Sequence, residues 1–281
     1  MATELENLLS ERRFGLISER LYDDPDLVND LVAHLDTADG ATQVGILTIL
    51  GRYGFDHPER VYPHVEAMMK VLDKNSSLKS DVACALGNLV FNSRDKSAEV
   101  MPMLRELFHD KDSFLRQDAA SAIGNIGFNF PDLVKDEVAG LKAMLDSQDE
   151  DERETGAQAL GKIGINSPEV IEDIFSKLVL VLEHAKEASC GGIISAFGAL
   201  GYNYPEMVRE EIPRLVGYLS SANPVAVKNA VMALGIIGMT QPDLIEPALP
   251  DLHRLSDSPD RDIRLNAMVA MSKSEPGETS K

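Results

Sequence analysis

The sequence predicts an all-α protein, a right-handed α-solenoid of about seven stacked helical hairpins opened by an N-terminal capping helix. Three observations predict it. A glycine recurs at Gly51, Gly87, Gly124, Gly161, Gly198 and Gly235, in steps of 36, 37, 37, 37 and 37 residues. A second glycine (Gly54, Gly127, Gly164, Gly201, Gly238) and a proline (Pro58, Pro131, Pro168, Pro205, Pro242) follow in register, with Val90 and Arg94 standing in for both in one repeat. Each unit also carries two helical patterns, an amphipathic one after the proline and a smaller, more uniformly apolar one before the glycines. Self-similarity at such a period marks an array of supersecondary units, each burying its apolar face against the next.

Taken in order, residues 3–22 place Leu5, Leu8, Leu9, Leu16, Ile17 and Leu21 on one amphipathic helix that does not match the repeat. Terminal units of solenoids are atypical because they cover an otherwise open core, so residues 1–24 are expected to form a capping helix. Residues 25–273 are the solenoid. Its first helix runs through Leu27, Val28, Leu31, Val32 and Leu35, and turns are expected near 37–42, 73–77, 109–113, 146–151, 183–187, 220–225 and 256–261. In each unit the pair of glycines is expected to end the second helix in a left-handed conformation, before a polar turn and a proline that opens the next helix. Residues 274–281 have the composition of a disordered tail.

Ala-Leu-Gly and its close variants end the second helix of most units, and Asp73 with Lys79 and Asp110 with Arg116 place an acid six residues before a base. In these features the chain resembles the HEAT-repeat family, in the short form also found in phycobilisome lyases. Arg153 and Arg264 match the basic position alone, Ser147 and Ser258 standing at the acidic one, while Cys190 and Val227 replace the base. The resemblance implies the solenoid fold and a binding role. Through the lyases it also implies an alternative, an enzyme or enzyme-accessory subunit that handles a tetrapyrrole.

A net charge of −19 repels phosphate backbones, and no basic stripe interrupts it, so nucleic-acid partners are not expected. No run is long and apolar enough to span a bilayer and the N-terminus has no signal-peptide profile, so a cytoplasmic protein with no membrane contact is expected. Cys84 and Cys190 fall about three repeats apart, roughly 30 Å at the 8–10 Å spacing of packed helices, too far for a disulfide.

The candidate site is the wall formed by the second helices. The residue after the first repeat glycine reads Arg52, Asn88, Asn125, Lys162, Ala199 and Ile236; three positions before that glycine stand Thr48, Cys84, Ser121, Gln158, Ser195 and Met232. The row passes from polar and basic to small and apolar. It suits a concave groove for an extended peptide or partner helix, with Arg52 and Lys162 toward an acidic segment; the alternative is a solvent-facing surface free to vary. Two further columns stand beside it. Asp56, Asn92, Asn129, Asn166, Asn203 and Thr240 fit helix capping in the turn, and Phe55, Phe91, Phe128, Ile165, Tyr202 and Met239 fit covers for the hairpin ends.

No catalytic, metal or cofactor site is expected. The acidic run 146–154 lacks the spacing of a calcium loop, the six histidines form no His-Glu pair, and no P-loop, nucleophile elbow or zinc spacing is present. Cys190-Gly191-Gly192 falls within the second helix of its unit as a small buried stretch. The function expected is a non-enzymatic scaffold or adaptor that binds another protein.

Overall fold

The computed structural model describes residues 3–167, 170, 174–184 and 190–274. Pro168, much of the expected turn at 183–187 and the tail from residue 275 lie outside them. The described residues are helical throughout, with no strand among them. They fall into two compact units, Met1–Val134 and Lys135–Lys281.

In the first unit α1 (Glu4–Ser10) and α2 (Phe14–Asp23) precede three hairpins. These are α3 (Leu27–Leu35) with α4 (Gly40–Asp56), α5 (Pro58–Val61) and α6 (Val65–Lys74) with α7 (Lys79–Val90), and α8 (Arg94–Phe108) with α9 (Ser113–Asn129). The single capping helix expected over residues 3–22 is therefore two helices. Leu5 and Leu9 are buried in the first, Ile17 and Leu21 in the second. Residues four apart drift around a helix of 3.6 residues per turn, and a straight helix through this stripe would bring Arg13 into it. The chain breaks there instead, with Arg12 at φ 55°. The break lets the Phe14 ring lie over Gly45 on α4, where a methyl at Gly45 would stand 2.2 Å from it.

The second unit stacks α10 (Val138–Met144) with α11 (Glu150–Gly164), then α12 (Phe175–His184) with α13 (Gly191–Asn203). Two further pairs follow: α14 (Pro205–Val208) and α15 (Ile212–Gly217) with α16 (Pro224–Thr240), and α17 (Leu249–Leu255) with α18 (Arg261–Ser274). Cys190 is buried at the N-cap of α13, and Gly191 and Gly192, also buried, are the first two residues of that helix.

The repeat glycines do not end their helices in the left-handed conformation that the sequence suggested. No described glycine has positive φ, and the first glycine of each unit sits inside its second helix. Its place is a helix crossing. A methyl added at Gly87 would stand 2.5 Å from Ala122 Cβ and 2.8 Å from Ala122 Cα, and the same contact recurs as Gly51–Ala85, Gly161–Ala196, Gly198–Ala233 and Gly235–Ala270. In each of these pairs the alanine, which stands two residues before the next repeat glycine in all but the last, packs on the glycine of the preceding hairpin. Ala-x-Gly is a knob followed by its own socket.

Local hydrogen bonds set the turns. Asp39, Asp112, Asp149, Asn223 and Asp260 cap the N-termini of second helices, as in Phe114 N–H donating to Asp112 Oδ1 at 2.9 Å. Such a cap contributes about 1 kcal/mol. The basic residue of the motif serves the same turn: Arg116, Arg153 and Arg264 each donate to the backbone carbonyl six residues earlier, at 3.0, 2.6 and 2.6 Å. A carbonyl needs no particular side chain, which is why Ser147 and Ser258 replace the acid without loss of the contact.

Candidate functional site

The second helices leave the row of positions beside the glycines uncovered, because the first helices pack on their other side. In the first unit this opens a cleft of about 500 Å³ between α4 and α7, lined by Thr48, Arg52, Phe55, Asp56, Ser80, Asp81, Cys84 and Asn88 among others. Arg52 makes no ion pair among the described residues. Asp118, on α9, accepts hydrogen bonds from Ser80 Oγ and, at 3.5 Å, from Cys84 Sγ. Burial, and then the charge of Asp118, raise the Asp81 carboxyl above the usual carboxylate range. Burial and the same two carboxylates push the Cys84 thiol up to about 12. The Cys84 thiol is therefore held mostly protonated near neutral pH.

Asn125 and Ser121 continue the row on α9, both half-buried; Asn125 donates to Asn88 Oδ1 at 3.3 Å. With Asp56 and Asp81 lining the same cleft, and Asp118 hydrogen-bonded to its Ser80 and Cys84, Arg52 does not face a cleft suited to an acidic segment. The sequence reading missed this because it probed the positions one after and three before the glycine. The column six before it reads Gly45, Asp81, Asp118, Thr155, Gly192 and Asn229, and holds the carboxylates.

In the second unit the row lines another cleft, of about 220 Å³. Its walls are Gln158, Lys162, Ser195, Ala196, Ala199, Met232, Ala233 and Ile236. Met232 is 41% exposed. Lys162 is half-buried, and burial lowers its ammonium below the ordinary lysine value. Ser195 Oγ donates to Asn229 Oδ1 at 3.3 Å. Nearby, Glu154 accepts the Gly192 backbone N–H at the start of α13, and burial raises its carboxyl above the usual range.

The turn column is not a set of helix caps. Asn129 Nδ2 donates to the Phe91 carbonyl at 2.9 Å and to Asn92 Oδ1 at 3.0 Å, and Asn203 donates to the Ile165 carbonyl. Each reaches back to the free carbonyl end of the preceding second helix, a group that needs a donor. In the aromatic column Phe55 stacks on Phe91 with ring centroids 5.3 Å apart, and Phe55 remains 55% exposed. Among the described residues no group of three or more metal-ligating side chains converges. No described helix is long and apolar enough to cross a membrane.

A family model described as HEAT repeats matches residues 65–161. Residues 65–161 are HEAT repeats. The glycine–alanine crossings that order them continue outside that range, as Gly198–Ala233 and Gly235–Ala270. Among solved structures, the chain is similar to a designed armadillo repeat protein at 21% identity and TM-score 0.50, over 87% of this chain and 98% of that one. An engineered protein matches at 21% identity and TM-score 0.50 over 89% and 99%. Computationally designed armadillo repeat proteins for modular peptide recognition match at 19% and 0.50 over 74% and 98%. Such identities carry the fold, a helical-repeat scaffold. No curated protein matched the chain.

Proposed function

We propose that the chain is a non-enzymatic scaffold that binds another protein through the exposed faces of its second helices. The observation that carries this reading is that one repeat position, read off consecutive units, lines open clefts instead of core. Solenoids use such extended faces to hold partner segments, and the clefts lack the enclosed, convergent polar groups of a small-molecule site. One of the structural neighbours is described as built for modular peptide recognition, in keeping with a peptide-binding use of the same face. The fold itself hosts unrelated functions, so the weight rests on the clefts.

The test compares affinity capture from the native cell extract by the wild-type chain and by the double variant Arg52→Glu, Lys162→Glu, with captured proteins identified by mass spectrometry. Proteins held by the wild type and lost by a variant of unchanged urea midpoint support the reading. Identical captures from both chains overturn it.

A further inference from the structure

Helix α18 presents to solvent a face that the other second helices bury. Four residues before the first repeat glycine stand Leu47, Ala83, Ala120, Ala157, Ile194 and Val231, and all six are 0% exposed. Met268 holds that position on α18, where Ser272 replaces the glycine, and it is 51% exposed. Leu265, three residues earlier, is 47% exposed. The preceding units identify this side of the helix as the stacking side. Ser80, at the position of Leu265, donates to Asp118 on the next second helix, and Glu154, at the same position, accepts from Gly192 on its own next one. Leu265, Met268 and Ser272 follow at spacings of three and four, which puts them on one side of α18, with Val269 exposed at its edge.

Apolar side chains on a stacking side call for an apolar cover. Residues 275–281 offer none, since Glu-Pro-Gly-Glu-Thr-Ser-Lys contains no large apolar residue. Helix α1 shows what a sealed face looks like in this protein: Leu5 and Leu9 are buried, and Glu4, Glu6, Asn7 and Ser10 are exposed. Setting α1 of a second copy on α18 would press Leu265 and Met268 against carboxylates, so the two terminal faces are poor partners for each other. The α18 face fits its own like. Residues 249–274 carry four acids and four bases, so on a chain of charge −19 this hairpin brings no net charge to oppose the approach of a second one.

We propose that two copies of this chain associate through this face, related by a two-fold axis that passes near Met268. Leu265 and Met268 of one copy pack on those of the other, with Val269 at the rim. An isologous contact of this kind closes on itself and stops at the dimer. Its size sets its strength. The 14 residues of α18 span about 21 Å at 1.5 Å per residue, and α17 beside it widens the face to roughly 20 Å. That is about 400 Å² per copy and on the order of 800 Å² over both, at the low end of specific interfaces. The dimer is therefore weak and concentration-dependent, with dissociation in the micromolar range or above. The clefts of the scaffold reading lie on another side of the second helices and stay open in it.

The test is sedimentation equilibrium of the purified full chain over a micromolar concentration series. The expected result is a mass that rises from that of the 30.7 kDa monomer toward twice that value and no further. Met268→Glu weakens association ten-fold or more. Its urea midpoint, measured in dilute monomer, stays within error of the wild type, because the side chain is already in solvent there. Leu180→Glu, an equally exposed apolar position on α12, leaves association unchanged. In a Cys84→Ser background, copper-phenanthroline oxidation of Met268→Cys joins two chains, since the axis brings the two positions within disulfide reach, and oxidation of Leu16→Cys on α2 does not. A monomer at every concentration, a dimer insensitive to Met268→Glu, or growth past the dimer into head-to-tail chains overturns this inference, and each leaves the scaffold reading standing.

Discussion

If the repeat glycines are sockets for the next unit's alanine, then Gly87→Ala should destabilise the first unit in spite of improving its helix. Alanine gains roughly 0.5–1 kcal/mol over glycine in a helix interior. Against that, the new methyl would stand 2.5 Å from Ala122 Cβ and 2.8 Å from Ala122 Cα. Ordinary contacts between carbons begin near 3.5 Å, so the two helices must separate by about 1 Å. No rotamer change relieves the clash, because the obstacle is a backbone and the first atom of a side chain. Overpacking of this kind costs about 1–3 kcal/mol, for a net loss of roughly 1–2 kcal/mol. Gly15, exposed on α2 with nothing within 4 Å of a Cβ, is the control: Gly15→Ala should stabilise by up to about 1 kcal/mol. Urea midpoints read both. The decisive measurement is the cycle with Ala122→Gly, which should recover 1 kcal/mol or more of coupling at the crossing. If Gly87→Ala stabilises the protein as Gly15→Ala does, or if Ala122→Gly leaves its cost unchanged, the socket is refuted.

Other consequences are open to direct measurement. Cys84, with its thiol pushed up to about 12, loses about three decades of thiolate near pH 8 and regains part through a more basic sulfur, so alkylation in a Cys190→Ser background should run about thirty- to sixty-fold slower than for a free cysteine. Asp118→Asn should speed it, and a rate equal to that of a free thiol would contradict the contact. Glu154, raised by burial, holds its proton in the folded chain at pH values where the unfolded chain has lost it. Its contribution is therefore present below the ordinary glutamate pKa and is lost as pH rises through the raised one. Glu154→Gln should gain stability relative to wild type as pH rises above the ordinary glutamate pKa, and a flat difference would refute the assignment. Asn129→Ala removes two hydrogen bonds to the preceding unit and should lower stability by about 1–2 kcal/mol. Asn92→Ala should cost less, because the Phe91 carbonyl keeps its donor.

The architecture was legible because helical packing repeats and its spacing is written directly in the chain. The role of the glycines was not, for a physical reason. A glycine near the end of an apolar helix serves equally a left-handed cap and a close crossing, and nothing local distinguishes them. The distinguishing partner lies in the next unit, as Ala85 does for Gly51 and Ala270 for Gly235. The break of the cap was legible in hindsight from Arg13, since Leu5, Leu9, Ile17 and Leu21 make a stripe that a straight helix cannot keep. The asparagine column misled in the opposite direction. Its residue type suits a helix start, yet Asn129 and Asn203 reach back across the unit boundary, a contact that no single repeat contains.

The positions on which the units agree are therefore committed to stacking. Glycine and alanine set the crossing, Asp and Asn cap the second helix, the arginine holds the turn carbonyl, and the turn asparagine ties each unit to the last. A mutation at any of them reports on stability and is silent about partners. The positions beside the first glycine are under no such demand, and there the two clefts diverge. One gathers Asp56 and Asp81 around Arg52, with Asp118 behind them. The other is lined by Lys162, Gln158 and Ser195 together with small and apolar side chains.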